Sequence, residues 1–362
     1  HSKKAIAKAY DYFVKKKNAR GKLIMPCGTG KTITGFWIAQ KLNAKNILIA
    51  VPSLALLKQT LEVWTREFLL YNMKPDWICV CSDESAGSLE QDDFVAHTYD
   101  LGVECTTNQK DIVSFLKQKS NMKVVFTTYQ SGKVTGLASN KAKFTYDLGI
   151  LDEAHKTVGH GKRSFSYLLH QNNIKIKHRL NMTATERIVR FDIDKYLSMD
   201  DPRDYGEIFY QLSFKEAIES KPPIICDYKI ITLDVRDYEI GELWRKNKYI
   251  EVKRHFKDIT AREFAVALAL RKAVKQLGIK KALSFHSSIN RAKRFGEQQE
   301  LITKVYKEYG KINAFHVSGN IPTGERANLL RQFGKTQKGL MTNARCLTEG
   351  VDIPAIDCVC FT

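Results

Sequence analysis

Met25-Pro26-Cys27-Gly28-Thr29-Gly30-Lys31-Thr32 is the stretch that decides how the rest of the chain reads. The apolar pair Leu23-Ile24 precedes it, and Ile33, Phe36, Trp37, Ala39 and Leu42 follow at helical spacing. Strand, glycine-rich turn and helix form the context in which a loop cradles phosphate. Gly28 and Gly30 let the backbone curl, so that successive N–H groups, those around Cys27 and Thr29 included, point inward at a helix N-terminus. In that geometry Lys31 reaches the outer phosphates of a nucleotide and the Thr32 hydroxyl ligates magnesium. Met25 stands where the eight-residue consensus has glycine.

Apolar runs recur outward from this loop. Residues 46–51 end at Pro52-Ser53, with Ser53 placed to cap a helix from Leu54 to Phe68. Short runs at 78–81 and 124–128 follow, the second closing on Thr127-Thr128-Tyr129. Residues 148–151 run into Asp152-Glu153-Ala154-His155, and 179–182 into Thr183-Ala184-Thr185. Residues 1–20 read as a helix with Ala5, Ile6, Ala9, Phe13 and Val14 on one face; 82–110 read as a polar, locally acidic loop. This alternation predicts an α/β fold with a doubly wound parallel sheet whose motifs sit at the C-terminal strand edge. Pro202, Gly206 and Pro222-Pro223 punctuate the next stretch. The expected boundaries are a first domain over 1–205, a linker over 206–223 and a second domain over 224–362. In the second, strands are expected at 282–286, 314–317, 340–342 and 358–361, with helices at 261–277, 289–309 and 323–333.

The chain has 362 residues and a net charge of +19, with lysine and arginine spread along its length. That favours basic surfaces on folded domains that bind a polyanion, with solubility alone as the alternative. No apolar stretch approaches the ~18–20 residues of a membrane span, and the N-terminus lacks a signal-peptide core. An intracellular protein is expected, in a bacterial cytoplasm or, for a eukaryote, the nucleus, with no membrane partner. The abrupt start inside a helix suggests an excised piece. Eight cysteines (27, 79, 81, 105, 226, 346, 358 and 360) show no Cys-x-x-Cys spacing, and the nine histidines no zinc-type spacing. Reduced, mostly buried thiols in a reducing compartment are expected rather than a metal cluster.

A phosphate loop with Thr32 needs an acidic partner for magnesium, and Asp152 at the tip of an apolar run supplies one. Glu153 is placed to orient or deprotonate an attacking water. Adjacent Asp-Glu after a strand also occurs as a plain helix cap. His155 is positioned to bridge the γ-phosphate site to Thr183-Ala184-Thr185, or else is a surface histidine.

Taken in order, these residues resemble the superfamily two helicases and translocases. The loop at 25–32 resembles their motif I, Val51-Pro52-Ser53-Leu54 motif Ia, Thr127-Thr128-Tyr129-Gln130 motif Ib, Asp152-Glu153-Ala154-His155 motif II and Thr183-Ala184-Thr185 motif III. Leu283-Ser284-Phe285-His286 resembles motif IV, and His316-Val317-Ser318-Gly319 with Glu325-Arg326 the motif after it. Thr342 through Thr348-Glu349-Gly350-Val351-Asp352-Ile353-Pro354 resembles motif V. Asp-Glu-Ala-His-Lys-Thr and Asn-Met-Thr-Ala-Thr-Glu-Arg give the chain the flavour of restriction-system helicase subunits.

The resemblance implies two tandem RecA-like domains with parallel sheets, the second incomplete, and ATP with Mg2+ held between them. Lys31, Asp152, Glu153 and His155 would be catalytic; Gly350 and Asp352 would approach the ribose. Nucleic acid, double-stranded DNA before RNA, would be gripped by loops at Pro52, Ser53, Thr128, Ser287, Ser318 and Thr342. Fused or associated nuclease, methyltransferase or recognition domains would fit. The adenine-reading glutamine context is missing at His1-Ser2, and the motif VI arginines are expected just after Thr362, so the chain as given is expected to turn ATP over poorly. A nucleotide-dependent binding module without strand separation is the reading from another class.

Overall fold

The computed structural model describes residues 1–82, 98–159, 163–190, 196–232, 261–318, 321, 323–344 and 356–362. The first 211 residues supply the strands of one seven-stranded sheet: β1 (Arg20–Ile24), β2 (Asn46–Val51), β3 (Asp76–Val80), β4 (Lys123–Thr128), β5 (Tyr146–Leu151), β6 (Ile176–Thr183) and β7 (Glu207–Gln211). Their spatial order is β3-β4-β2-β5-β6-β1-β7, and every pairing is parallel. Central strands are covered on both faces, which is why β2 and β4 are buried almost end to end and read as unbroken apolar runs.

The sheet is accompanied by α1 (Ser2–Tyr10) before β1, by α2 (Lys31–Lys41), α3 (Leu54–Leu70), α4 (Gln109–Lys117), α5 (Gly132–Lys141), α6 (Arg163–Ser166) and α7 (Pro202–Tyr205) in the crossovers, and by α8 (Phe214–Glu219) after β7. Ser53 caps α3 as expected, its hydroxyl accepting from the Leu56 N–H at 3.4 Å. On one face α2 and α3 pack Phe36, Trp64 and Phe68 against Phe126 with ring centroids 5.0 to 6.2 Å apart, edge to face. On the other, Leu48, Val125, Tyr129, Leu151, Leu168 and Ile176 share a second core. Within that layer Arg179 is 1 % exposed. Its Nε donates to the Leu168 carbonyl at 3.1 Å and its Nη2 to that of Ile174 at 2.9 Å, with Gln171 Oε1 a further acceptor. Burial, and then neighbouring Arg20, push this guanidinium down to about 9.

Among the described residues, two compact units meet in the sequence at Tyr228/Lys229. The stretch read as a linker, 206–223, therefore contributes structure to the first unit. Within it, β7 pairs with β1 through a register shift at Lys22/Leu23, and α8 is opened by a reciprocal capping box between Ser213 and Glu216. As an edge strand β7 is only partly covered, so it lacks the apolar run that marks its neighbours. Residues 224–232 carry no regular secondary structure, and Ile230 is largely exposed.

The second unit has the same alternation on a smaller scale. Strands β8 (Lys281–Phe285), β9 (Asn313–Val317), β10 (Gly339–Asn343) and β11 (Cys358–Phe361) lie in the order β11-β8-β10-β9, all parallel. Helices α9 (Ala261–Gln276), α10 (Ile289–Val305) and α11 (Thr323–Lys335) accompany them. Phe264, Leu268, Val274, Ile302 and Leu340 form its main core, and Leu283, Val317, Phe333 and Met341 a smaller one. Among the described residues no helix is long and apolar enough to cross a membrane, and no cluster of metal-ligating side chains occurs. Cys79 and Cys81 are buried thiols, whereas Cys27 and Cys226 are exposed.

Candidate functional site

The glycine loop leaves the tip of β1 and enters α2. Gly28 and Gly30 have φ of 79° and 80°, a left-handed backbone that side chains disfavour, and Gly30 is the N-cap of α2. The turn is braced internally: the Thr29 hydroxyl donates to the Pro26 carbonyl at 2.7 Å and the Thr34 hydroxyl to the Gly30 carbonyl at 2.8 Å. The His1 imidazole lies 2.8 Å from the Thr29 carbonyl. Lys31, 8 % exposed, holds its Nζ 3.5 Å from Glu153 Oε1 and 3.8 Å from Cys27 Sγ.

Asp152 and Glu153 follow β5, with β6 standing between that strand and β1. Thr183, at the tip of β6, ties the two sides together: its carbonyl accepts the Met25 N–H at 3.0 Å, and its hydroxyl lies 2.9 Å from His155 Nδ1. The same hydroxyl donates to the Thr185 carbonyl at 2.9 Å, so the Thr183-Ala184-Thr185 turn is locked to His155. One residue on, Glu186 pairs with buried Lys22 at 2.6 Å. His155 Nδ1 is also 3.3 Å from Glu153 Oε2.

Charge follows from this packing. Burial, and then the Glu153 carboxylate, push the Asp152 carboxyl up to about 6, against the pull of Lys31 and of hydrogen bonds from the Glu153 N–H and the Thr32 hydroxyl. Glu153 feels burial too, but the hydrogen bond from His155 and the charge of Lys31 outweigh it and hold its carboxyl below the usual range. A carboxyl that resists ionisation beside a hydroxyl and a second carboxylate is a place where a divalent cation would relieve strain; Thr32 and Asp152 have the hard-oxygen chemistry magnesium selects. The site thus offers a left-handed glycine turn at a helix N-terminus, an ammonium, a hydroxyl–carboxylate pair and a separate carboxylate held by an imidazole.

Residues 1–188, more than half the chain, match the family described as "Type III restriction enzyme, res subunit". The chain belongs to that family. Residues 265–362 match the helicase conserved C-terminal domain. A "Probable helicase" of African swine fever virus (isolate Pig/Kenya/KEN-50/1950) is 27% identical over 351 residues, 95% of this chain and 35% of that protein. The DNA-bound structure of the ATP-dependent Type ISP restriction-modification enzyme LlaBIII superposes with a TM-score of 0.82 at 27% identity, covering 99% of this chain and 25% of that one. The Pyrococcus furiosus Hef helicase domain, at 14% identity and a TM-score of 0.51, shares the fold. The chain spans about a third of the length of the curated relatives that match along 95% of it.

With the res-subunit frame in place, the remaining sequence expectations sort by position. Gly350 and Asp352 lie outside the described residues. Ser53 is half-exposed at its helix start and Ser287 is exposed, accepting from Arg291 Nη1 at 3.1 Å. Thr128 and Thr342, at 3 % and 0 % exposed, turn their hydroxyls inward, to Ser131 Oγ at 3.4 Å and to His316 Nδ1 at 3.0 Å. Pro52 and Ser318 are likewise buried. At these four positions the side chain has no surface to offer a nucleic acid, leaving contact to the adjoining backbone and loops. Sequence reasoning passed over Lys22, Glu186 and Tyr129, whose partners lie far along the chain; a lysine inside the apolar run of β1 was the one available signal.

Proposed function

We propose that this chain is the motor core of an ATP-dependent nucleic-acid helicase or translocase acting on double-stranded DNA. The observation that carries the reading is the convergence of Lys31, Thr32, Asp152, Glu153 and His155, from two loops, with Thr183 of a third locked onto them. The N–H groups of the Gly28–Lys31 turn hold phosphate oxygens, and Lys31 neutralises the outer ones. Thr32 and Asp152 would hold Mg2+, which when bound would offset charge on the transferring phosphoryl group. Glu153 accepts the proton of the attacking water, kept ionised by Lys31 and His155. His155 passes the state of that site to Thr183-Ala184-Thr185.

The +19 net charge and the DNA in the LlaBIII structure support DNA as the track. Nuclease, methyltransferase or recognition domains would accompany the core in a longer polypeptide, inside a reducing, nucleic-acid-containing compartment. Phosphate release measured on a polypeptide extended beyond Thr362, with duplex DNA, duplex RNA or neither, at one salt concentration, tests the reading. Stimulation by DNA above RNA is expected, and Lys31→Ala lowers it about 10²–10³-fold or more. A chain that no nucleic acid stimulates is not a motor.

A further inference from the structure

We infer that Tyr129 is a positioning residue for hydrolysis: from the loop after β4 it fixes the Asp152–Glu153 peptide, and so the aim of Glu153, according to the state of that loop. The inference rests on the motor reading above. Tyr129 is 0 % exposed, and its phenol donates to the Asp152 carbonyl at 2.7 Å. The N–H of that same peptide, belonging to Glu153, donates to Asp152 Oδ1 at 2.9 Å. Both ends of one peptide plane are therefore held, and the residue that follows it pays a conformational cost. Glu153 has φ 48° and ψ 47°, a left-handed backbone unusual for a glutamate. Such a conformation persists only where the surroundings over-determine it. Released from the phenol, the plane is free to turn and carry Glu153 back toward the ordinary right-handed or extended regions, away from Lys31 and His155.

The phenol suits this task. Burial, followed by the nearby Asp152, Tyr205 and Glu153, pushes its ionisation well above the usual value, so it remains a donor at any working pH. Its ring is seated against Phe165 at 5.6 Å between centroids. The backbone around it reaches the neighbouring loop: the Tyr129 N–H donates to the Val51 carbonyl at 2.9 Å, and Gln130 Nε2 to the Pro52 carbonyl at 3.3 Å. The loops after β2 and β4, the proposed DNA-side loops of this unit, are thereby joined to each other and, through one phenol, to the peptide that aims Glu153.

The test is Tyr129→Phe in the full chain, which deletes one oxygen. Tyr146→Phe serves as the matched control, because its phenol is also buried in this core and bonds Ser139 Oγ at 3.0 Å, away from the site. With saturating duplex DNA, Tyr129→Phe is expected to lower kcat about tenfold, in line with the cost of a small misplacement. KM for ATP and the affinity for a fluorescent ATP analogue stay within twofold, and Tyr146→Phe keeps the wild-type kcat. Wild-type kcat in Tyr129→Phe, or equal losses in both variants, overturns the positioning role. Should Tyr129→Phe fail to fold, hydrogen exchange on the wild-type chain decides: duplex DNA is expected to protect amides 128–131 and 152–154 together, and protection of the first without the second overturns the link. A wild type that DNA does not stimulate refutes the motor reading itself, a result distinct from either of these.

Discussion

At the tips of β1 and β5 the first unit gathers Lys31, Asp152 and Glu153, an ammonium and two carboxylates within reach of one another. The tips of β8, β9 and β10 in the second unit carry Ser284, His286, His316 and Thr342 instead, and no carboxylate among the described residues. His286 has both ring nitrogens engaged, Nε2 with Ser284 Oγ at 2.9 Å and Nδ1 with Thr362 Oγ1 at 2.7 Å. One parallel architecture thus supports two kinds of polar edge. Buried like charges are expensive and persist where a ligand will balance them, whereas the hydroxyls of Ser284, Thr362 and Thr342 pair with three of the four ring nitrogens of His286 and His316.

The largest test of this contrast is Glu153→Gln. It keeps the shape and the contact with Lys31 but removes the base, so phosphate release should fall about 10²–10⁴-fold while binding of a fluorescent ATP analogue persists. Loss of binding along with hydrolysis would place Glu153 among the groups that hold nucleotide and blur the division of labour with Asp152. A smaller effect is expected from Thr342→Val in the second unit. Deleting the hydroxyl leaves His316 Nδ1 unpaired, and denaturant unfolding should report a loss of about 1–3 kcal/mol. DNA affinity should not change, because the side chain is fully buried; weakened DNA binding in a normally stable variant would return Thr342 to the contact surface.

A further effect is a pH dependence. Burial, then His316 and Arg291, push His286 down to about 4 from its ordinary 6.5. The unfolded chain therefore takes up that proton before the folded one does. The stability His286 contributes is complete above pH 6.5 and is lost as pH falls from there toward 4. The melting temperature of the wild type should drop by more over that interval than that of His286→Asn. Equal slopes would mean the imidazole is not the group that titrates.

The first sheet and its glycine loop were legible in the sequence because unbroken apolar runs ending in Gly-Thr-Gly-Lys-Thr, Asp-Glu-Ala-His or Thr-Ala-Thr leave few alternatives to parallel strands with loops at one edge. The convergence of Lys31 with Asp152 was legible too, although β6 stands between their strands and Thr183 closes the gap. Strand β7 was not, because an edge strand with one half-exposed face carries only a weak alternation and here lies among prolines and glycines. The outward or inward sense of Thr128 and Thr342 escaped for a related reason. In strands buried on both faces, hydropathy says nothing about which way the last hydroxyl points. Tyr129 read as a loop residue, since its partner is a backbone carbonyl more than twenty positions later.

Arg179 in the middle of the first sheet has a consequence for which residues this fold tolerates. Its cation is surrounded by carbonyl and amide oxygens with no carboxylate among its hydrogen-bond partners, and it remains protonated at neutral pH only because a guanidinium begins so basic. An ammonium begins roughly two pH units lower. Held in the same shell it would be about half uncharged at pH 7 and would lack the fork that spans four acceptors. Lysine is therefore a poorer base than arginine at this interior point.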